Sequence, residues 1–292
     1  ACHKDYLKKS KVITGEVSEI NSKFIKVKDK KIGFDYLIIT SGSKYNPPIK
    51  KEGILVASRA KDISGFHDKL AKAENVLIAG GGLVGVELAS EIITFYKDKK
   101  VKIIDKGKSL MDRNNLKSAS YASNFLKKRG VEIMLNKEIK RKVSWGVITT
   151  SGEKIKADLV CMCTGIQPNF KFMKGEFSKL LNERNYIKVN EYLQLEGFRN
   201  IFVGGDITSI AEEKTAQTAE KHASVIIKNL KRLDSGLKEK LKKYSSRKRI
   251  VVISLGKWNG IFEYKNFVLT GLIPAFLKWA IEKRIMIRYG KF

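Results

Sequence analysis

The chain has 292 residues, 43% hydrophobic and 30% charged, which gives room for about two folded domains and excludes a disordered polymer. Its formal net charge is +28, densest from Lys228 onward; without zinc-finger spacing, a basic zipper or an RNA-recognition motif, no specific nucleic-acid partner is expected. Three cysteines, Cys2, Cys161 and Cys163, exclude a disulfide framework and suit a reducing compartment; no run reaches ~18 apolar residues, and the first residues given carry no signal-peptide pattern.

From the N-terminus, residues 11–13, 24–27 and 36–40 read as short strands. Thr40-Ser41-Gly42-Ser43 closes the last of them, and Asn46-Pro47-Pro48 marks a loop. Ile63, Phe66 and Leu70, spaced by three and four, predict a helix over 60–73.

Residues 75–79 form a continuous apolar strand, as in a parallel sheet covered on both faces. Gly80-Gly81-Gly82-Leu83-Val84-Gly85 follows, then a helical stretch to about residue 96, then a strand over 101–105 ending in Asp105. Strand, G-x-G-x-x-G, helix, strand and acid together make the dinucleotide fingerprint. Gly80 allows the tight turn, Gly82 lets the backbone approach a pyrophosphate, and Gly85 lets helix and strand pack closely. The helix start offers unpaired N–H groups to the phosphates. Asp105 is expected to accept from the adenosine ribose hydroxyls, which favours NADH; Lys106 and Lys108 beside it leave NADPH open.

A helix is expected over 115–129, stopped by Gly130, then strands over 131–135, 146–149 and 158–163, the last leading into Thr164-Gly165. A strand over 200–203 runs into Gly204-Gly205-Asp206, and a helix over 214–230 follows. Lysine-rich residues 231–249 read as a solvated linker or face, and a strand over 250–255 opens the last segment. His3, His67 and His222 show no paired carboxylate or ligand spacing, so no catalytic histidine and no metal site is expected.

In this order the motifs resemble those of the two-dinucleotide flavoproteins of the pyridine nucleotide–disulfide oxidoreductase superfamily. Thr40-Ser41-Gly42-Ser43 and Cys163-Thr164-Gly165 with Pro168 stand where that superfamily has its two Ala-Thr-Gly turns. Gly80 to Ala89, with Glu87, matches the nicotinamide fingerprint, and residues 200–206 match a strand ending in the Gly-Asp that binds FAD. Lys214 with Thr215 and Ala216 resembles the Lys-x-Ala segment of the apoptosis-inducing-factor-2 and ferroptosis-suppressor branch, and the tail 271–287 resembles it more loosely.

The resemblance implies an α/β chain of two Rossmann-like, three-layer FAD- and NAD(P)-binding domains plus a small C-terminal segment. No first G-x-G-x-x-G precedes Gly42, so the chain, which opens on Ala1, is expected to begin inside an FAD domain incomplete at its N-terminus. The expected division is 1–58 for the first FAD segment, 59–157 for the nicotinamide domain, 158–240 for the returning FAD segment and 241–292 for a C-terminal α/β segment. The implied cofactors are FAD, on Thr40, Ser41, Gly42, Thr164, Gly165, Gly205, Asp206, Thr215 and Ala216, and NADH, with NADPH open. Glu87 is implied to lie near nicotinamide and flavin in the first turn of its helix, and Lys214 to stabilise reduced flavin or quinol.

No C-x-x-x-x-C pair is present, so electrons are expected to pass from flavin directly to a small acceptor, by resemblance a quinone. A type II NADH dehydrogenase, a monodehydroascorbate-reductase-like enzyme and a non-catalytic NADH-binding protein are the alternatives. The tail 267–292 mixes Trp279, Phe276 and Ile285 with Lys278, Lys283 and Arg284, a composition that suits either a membrane interface or a homodimer surface. The expected location is cytoplasmic, peripheral on a lipid-droplet or mitochondrial surface.

Overall fold

The computed structural model describes residues 7–45, 56–237, 240–246 and 249–289; the expected loop at Asn46-Pro47-Pro48, Cys2 and His3 lie outside them. The N-terminal part carries β1 (Val17–Ile20), β2 (Phe24–Val27), β3 (Lys30–Gly33), β4 (Leu37–Ile39) and β5 (Ser43–Tyr45). Next come α1 (Val56–Lys72), β6 (Asn75–Ala79), α2 (Leu83–Phe95), β7 (Lys100–Ile104), α3 (Leu116–Lys127) and β8 (Glu132–Met134). β9 (Ile139–Val143), β10 (Gly146–Thr149), β11 (Lys154–Lys156), β12 (Leu159–Met162), β13 (Ile166–Pro168), β14 (Ile201–Val203) and α4 (Ala216–Asp234) follow. β15 (Ile250–Ser254), β16 (Gly260–Tyr264), β17 (Phe267–Gly271) and α5 (Leu272–Tyr289) complete the set.

The chain divides into two compact units, one of Ala1–Lys44 with Gln167–Arg247, the other of Tyr45–Ile166 with Lys248–Lys291. In the second unit β12, β6, β7 and β8 form one parallel sheet in that order. Alternation along β6 decides what covers each face. Val76 and Ile78 pack with Val86, Ala89 and Ile92 of α2 and with Ala122 and Leu126 of α3, while Leu77 and Ala79 pack with Val147 and Ile155 of the antiparallel β9–β11 sheet. Each buried Val, Leu or Ile among these contributes roughly 1.5–3 kcal/mol. The resulting layers are helices, parallel sheet and β-meander.

In the first unit β14 pairs parallel with β4, and β1–β3 form an antiparallel sheet. Ile201 and Val203 pack with Ile39 and Ile187, and Phe202 on the other face packs with Val225 and Ile226 of α4. Ranges and partners depart from expectation in several places. Residues 11–13 form no strand; Ile13 is exposed, and the first strand is β1, closed by Asn21 Oδ1 accepting the Lys23 and Phe24 amides at 2.8 Å. β12 pairs with β6, and the compact unit that holds both runs to Ile166, past the border expected at residue 158.

The C-terminal segment from Lys248 belongs to the second unit. Val251, Ile253 and Ile261 share the core of α2 and α3. Residues 240–246, part of the stretch read as a solvated linker or face, are mostly exposed and tied to α4: Asn229 Oδ1 accepts the Lys242 amide at 2.7 Å, and Asn229 Nδ2 donates to Lys242 O at 3.0 Å.

Candidate functional site

Within the second unit the glycine loop between β6 and α2 has the shape its sequence requires. A Cβ on Gly85 would overlap the Gly80 carbonyl oxygen, so helix and strand approach more closely than any side chain allows. Gly80 has φ +106°, and a Cβ there would sit 2.5 Å from Cys163 O and 3.2 Å from the Thr164 amide nitrogen. The Thr164-Gly165 turn therefore lies against the fingerprint loop. Gly82 is the N-cap of α2, with no side chain capping the helix and nothing within 4 Å of where a Cβ would stand. Open space over uncapped N–H groups fits a pyrophosphate.

Asp105 sits just past β7. Its Oδ2 accepts the Gly81 N–H and its Oδ1 the Gly107 N–H, both at 2.6 Å. The carboxylate thus braces the glycine loop, and its remaining lone pairs are available to ribose hydroxyls.

Glu87 lies in the second turn of α2, not the first, since the helix begins at Leu83. Its Oε1 accepts from the Ser254 amide and from Lys278 Nζ, both at 3.0 Å, so the carboxylate ties α2 to β15 and α5. One turn on, burial raises the Glu91 carboxyl above its ordinary value, the Ser254 hydroxyl opposing and the Glu87 and Glu282 charges adding.

In the first unit the parallel pairing of β4 with β14 places the Thr40–Ser43 turn beside Gly204-Gly205-Asp206. Ser43, fully buried, donates from Oγ to Asp206 Oδ2 at 2.6 Å. Thr40 Cγ2 lies 3.8 Å from where a Cβ on Gly204 would stand. Ser41 Oγ donates to Asn169 O at 2.9 Å, and Asn169 returns bonds from Nδ2 to Ser41 O at 2.8 Å and from its amide to Gly42 O at 3.0 Å. Asn169 was not singled out from sequence; its position directly after Pro168 was the only signal.

Lys214 is a staple rather than a solvated lysine: Nζ donates to Thr208 O at 2.7 Å and Ile210 O at 2.9 Å and lies over the Tyr186 ring. Burial lowers its pKa, with the Glu212 and Asp206 charges opposing. Thr215 caps α4 by accepting the Thr218 amide, and Ala216 is that helix's first residue. His222 does have a paired carboxylate: Nε2 stands 2.8 Å from Glu212 Oε1, which sequence spacing alone did not reveal. Among the described residues no group of three or more His, Cys, Asp or Glu is placed to hold a metal ion.

Comparison with known proteins decides the family. The model of the pyridine nucleotide-disulphide oxidoreductase family matches residues 3–223. The chain belongs to this family. It is 34% identical over 295 residues to apoptosis-inducing factor homolog B of Dictyostelium discoideum, covering 91% of this chain and 76% of that protein. It is 27% identical over 258 residues to ferroptosis suppressor protein 1 of Homo sapiens, covering 84% and 68%. Among solved structures it resembles NDH2 from Plasmodium falciparum in complex with NADH, with a TM-score of 0.75 and 15% identity over 92% of this chain and 79% of that one. The family resemblance and the α/β class read from the motifs are thereby borne out, and the family is one of NAD(P)H-dependent flavoprotein oxidoreductases.

Cys161 and Cys163 are free and buried on and just after β12. Burial pushes their thiols up to about 12 and about 11, the neighbouring Cys163 adding to the rise at Cys161. Thiolate is the reactive form. Native protein treated with iodoacetamide near pH 8 is expected to show neither residue alkylated by peptide mass spectrometry, and both alkylated in denaturant. Rapid native labelling of Cys161 would contradict this.

Proposed function

We propose that the protein passes electrons from NADH, through FAD, directly to a quinone-type small acceptor. One observation carries the direct route: the two described cysteines, on and just after β12, are buried with raised pKa values, unsuited to a dithiol relay. The chemistry FAD supplies when bound is uptake of a hydride from nicotinamide and release of electrons to a second acceptor. The chain's own residues bind and orient. Gly82 and the open end of α2 receive the pyrophosphate, and Asp105 receives the ribose. Asp206, steadied by Ser43, receives the flavin side chain, with Thr40–Gly42 lining the same turn. The resemblance to apoptosis-inducing factor homologs and ferroptosis suppressor protein 1 supports this reading.

The carboxylate of Asp105 would repel a 2′-phosphate, and the neighbouring Lys106 is exposed, with its ammonium 3.8 Å from Glu138. NADH is therefore the proposed donor. Asp105→Ala removes an anionic acceptor from two amides and from the ribose, each such bond being worth about 1.5–3 kcal/mol. Calorimetric titration is expected to show NADH affinity falling at least about 10-fold and the preference over NADPH shrinking. An unchanged ratio of the two affinities would contradict the assignment.

A water-insoluble acceptor makes membrane contact useful, and α5 offers the means. Leu272, Ile273, Phe276, Trp279, Met286 and Ile287 are exposed, Phe276 and Trp279 stack at 5.5 Å, and Lys283 and Arg284 stand among them. No helix among the described residues is long and apolar enough to cross a membrane. We read α5 as an interfacial helix, each basic residue gaining ~1 kcal/mol near anionic lipid. The Phe276→Ser, Trp279→Ser double variant is expected to lose most co-sedimentation with phosphatidylserine-containing vesicles. Equal pelleting would remove the membrane reading, and a loss of dimer mass in its place would assign the face to a second copy.

A further inference from the structure

His222 lies on the buried face of α4 with no exposed surface. Its Nδ1 accepts the Gly205 backbone N–H at 3.0 Å, so Nδ1 is unprotonated and the ring proton sits on Nε2. Nε2 then donates to Glu212 Oε1 at 2.8 Å, and the Tyr244 hydroxyl donates to Glu212 Oε2 at 2.6 Å. The Tyr244 ring stands edge-on to the imidazole, 4.5 Å between centroids, and its amide donates to Glu191 O at 2.7 Å. At the other end of this relay is Gly205, with φ +77°, immediately before Asp206.

We propose that His222 is a positioning residue for Asp206: a neutral imidazole, fixed as the Nε2–H tautomer by Glu212 and Tyr244, holds the Gly205 amide and so sets the direction of the Asp206 carboxylate. This rests on the reading that Asp206 holds the flavin side chain. Packing alone does not account for the arrangement. A carboxylate with 10% side-chain exposure is costly to bury unless its oxygens are bonded, and an apolar residue at 222 would fill the space without that cost. What an apolar residue cannot supply is an acceptor for the Gly205 N–H. Ser43 orients the same carboxylate from the β4 side, so Asp206 is held from its strand neighbour and from the backbone before it.

Neutrality matters, because an imidazolium has no acceptor at Nδ1. The charged and titratable groups facing the ring are Glu212, Lys214, Asp206 and Tyr244. Burial lowers the His222 pKa and outweighs the Glu212 hydrogen bond that would raise it. The folded value is therefore below the unfolded one, near 6.5. The contribution to stability is complete above that unfolded value and is lost as pH falls through the lowered folded one; flavin affinity, which follows the folded protein's own titration, is expected to hold at pH 6.5 and to weaken only on further acidification, as the lowered folded value is crossed.

The test uses the full-length gene product and three readouts. Nitrogen-15 NMR is expected to show His222 as the Nε2–H tautomer near neutrality; an Nδ1–H tautomer overturns the proposal whatever the variants do. His222→Leu is expected to weaken FAD binding, read by flavin fluorescence titration, at least about 10-fold, with His222→Gln recovering part of it through its side-chain oxygen. Equal affinity in His222→Leu and wild type overturns the proposal while leaving the flavin reading standing. If wild type binds no FAD, that reading fails by itself, and hydrogen exchange at the Gly205 amide decides the positioning claim. Protection lost in the Leu variant and regained in the Gln variant supports it, and unchanged protection refutes it. Should the Leu variant not fold, wild-type tautomer and the pH dependence of Gly205 exchange carry the same decision.

Discussion

Asp206→Ala is expected to abolish flavin retention. The carboxylate follows β14, whose parallel pairing with β4 fixes its height, and one of its oxygens accepts the buried Ser43 hydroxyl at 2.6 Å. Among the described residues no hydrogen bond reaches Oδ1, which leaves that oxygen for a ligand hydroxyl. Bonds to a charged acceptor are each worth about 1.5–3 kcal/mol, so losing one or two should lower FAD affinity roughly 100-fold or more. The checks are the flavin-to-protein ratio after desalting and a fluorescence titration of the stripped protein. Ser43→Ala, which keeps the charge and removes its orienting partner, should fall between the two. A variant that keeps a full complement of flavin would remove Asp206 from the cofactor site.

Gly85→Ala should severely damage the unit that carries the glycine fingerprint. The added Cβ would overlap the Gly80 carbonyl oxygen and would also press within 3.3 Å of Ile78. Neither can yield cheaply: Gly80 is backbone, bonded from its amide to Ile104 O at 2.8 Å, and Ile78 is fully buried in the sheet core. Overpacking costs typically 1–3 kcal/mol, and with backbone as the obstacle the upper end applies, about 3 kcal/mol. Helix and loop must separate, which spoils the pyrophosphate seat. Thermal unfolding is expected to drop by roughly 6–12 °C for a unit of this size, with NADH binding lost in calorimetry. Gly82→Ala, with nothing within 4 Å of its Cβ, is the contrast: near-wild-type stability with weakened NADH binding. If Gly85→Ala binds NADH normally, the close-packing account of the fingerprint is wrong.

The nicotinamide half of the fold was legible because its signals are local. β6 is apolar over its whole length, the glycines follow at once, and Asp105 ends the next strand, so β6, α2 and β7 were placed to within a residue or two. Asn115 marked the start of α3, where its side chain accepts the Lys117 amide. β9 and β11 escaped because β9 exposes Lys140, Arg141 and Lys142 in a row and β11 offers only Ile155 between two exposed lysines, so only the pairing with β10 reveals them as strands.

At the site Gly85 packs against the Gly80 backbone, Asp105 braces the glycine loop just past β7, and Asp206 follows β14 with Ser43 on its carboxylate. What sequence could not show were partners distant along the chain. Glu87 meets Lys278, Ser41 meets Asn169, and residues 240–246, mostly exposed, are also anchored through Asn229 and Tyr244. His222 and Glu212 lie ten residues apart, with the Glu in a loop and the His on a helix, so no helical or strand spacing announces them. Composition read the lysine-rich stretch as exposed, whereas its one tyrosine supplies the anchor.

The most direct measurement is the visible spectrum of the full-length gene product, purified and then titrated anaerobically with NADH. The account predicts yellow protein that bleaches on adding NADH and regains colour when a soluble quinone is supplied. Colourless protein that still binds NADH, or yellow protein that NADH leaves unbleached, would contradict it.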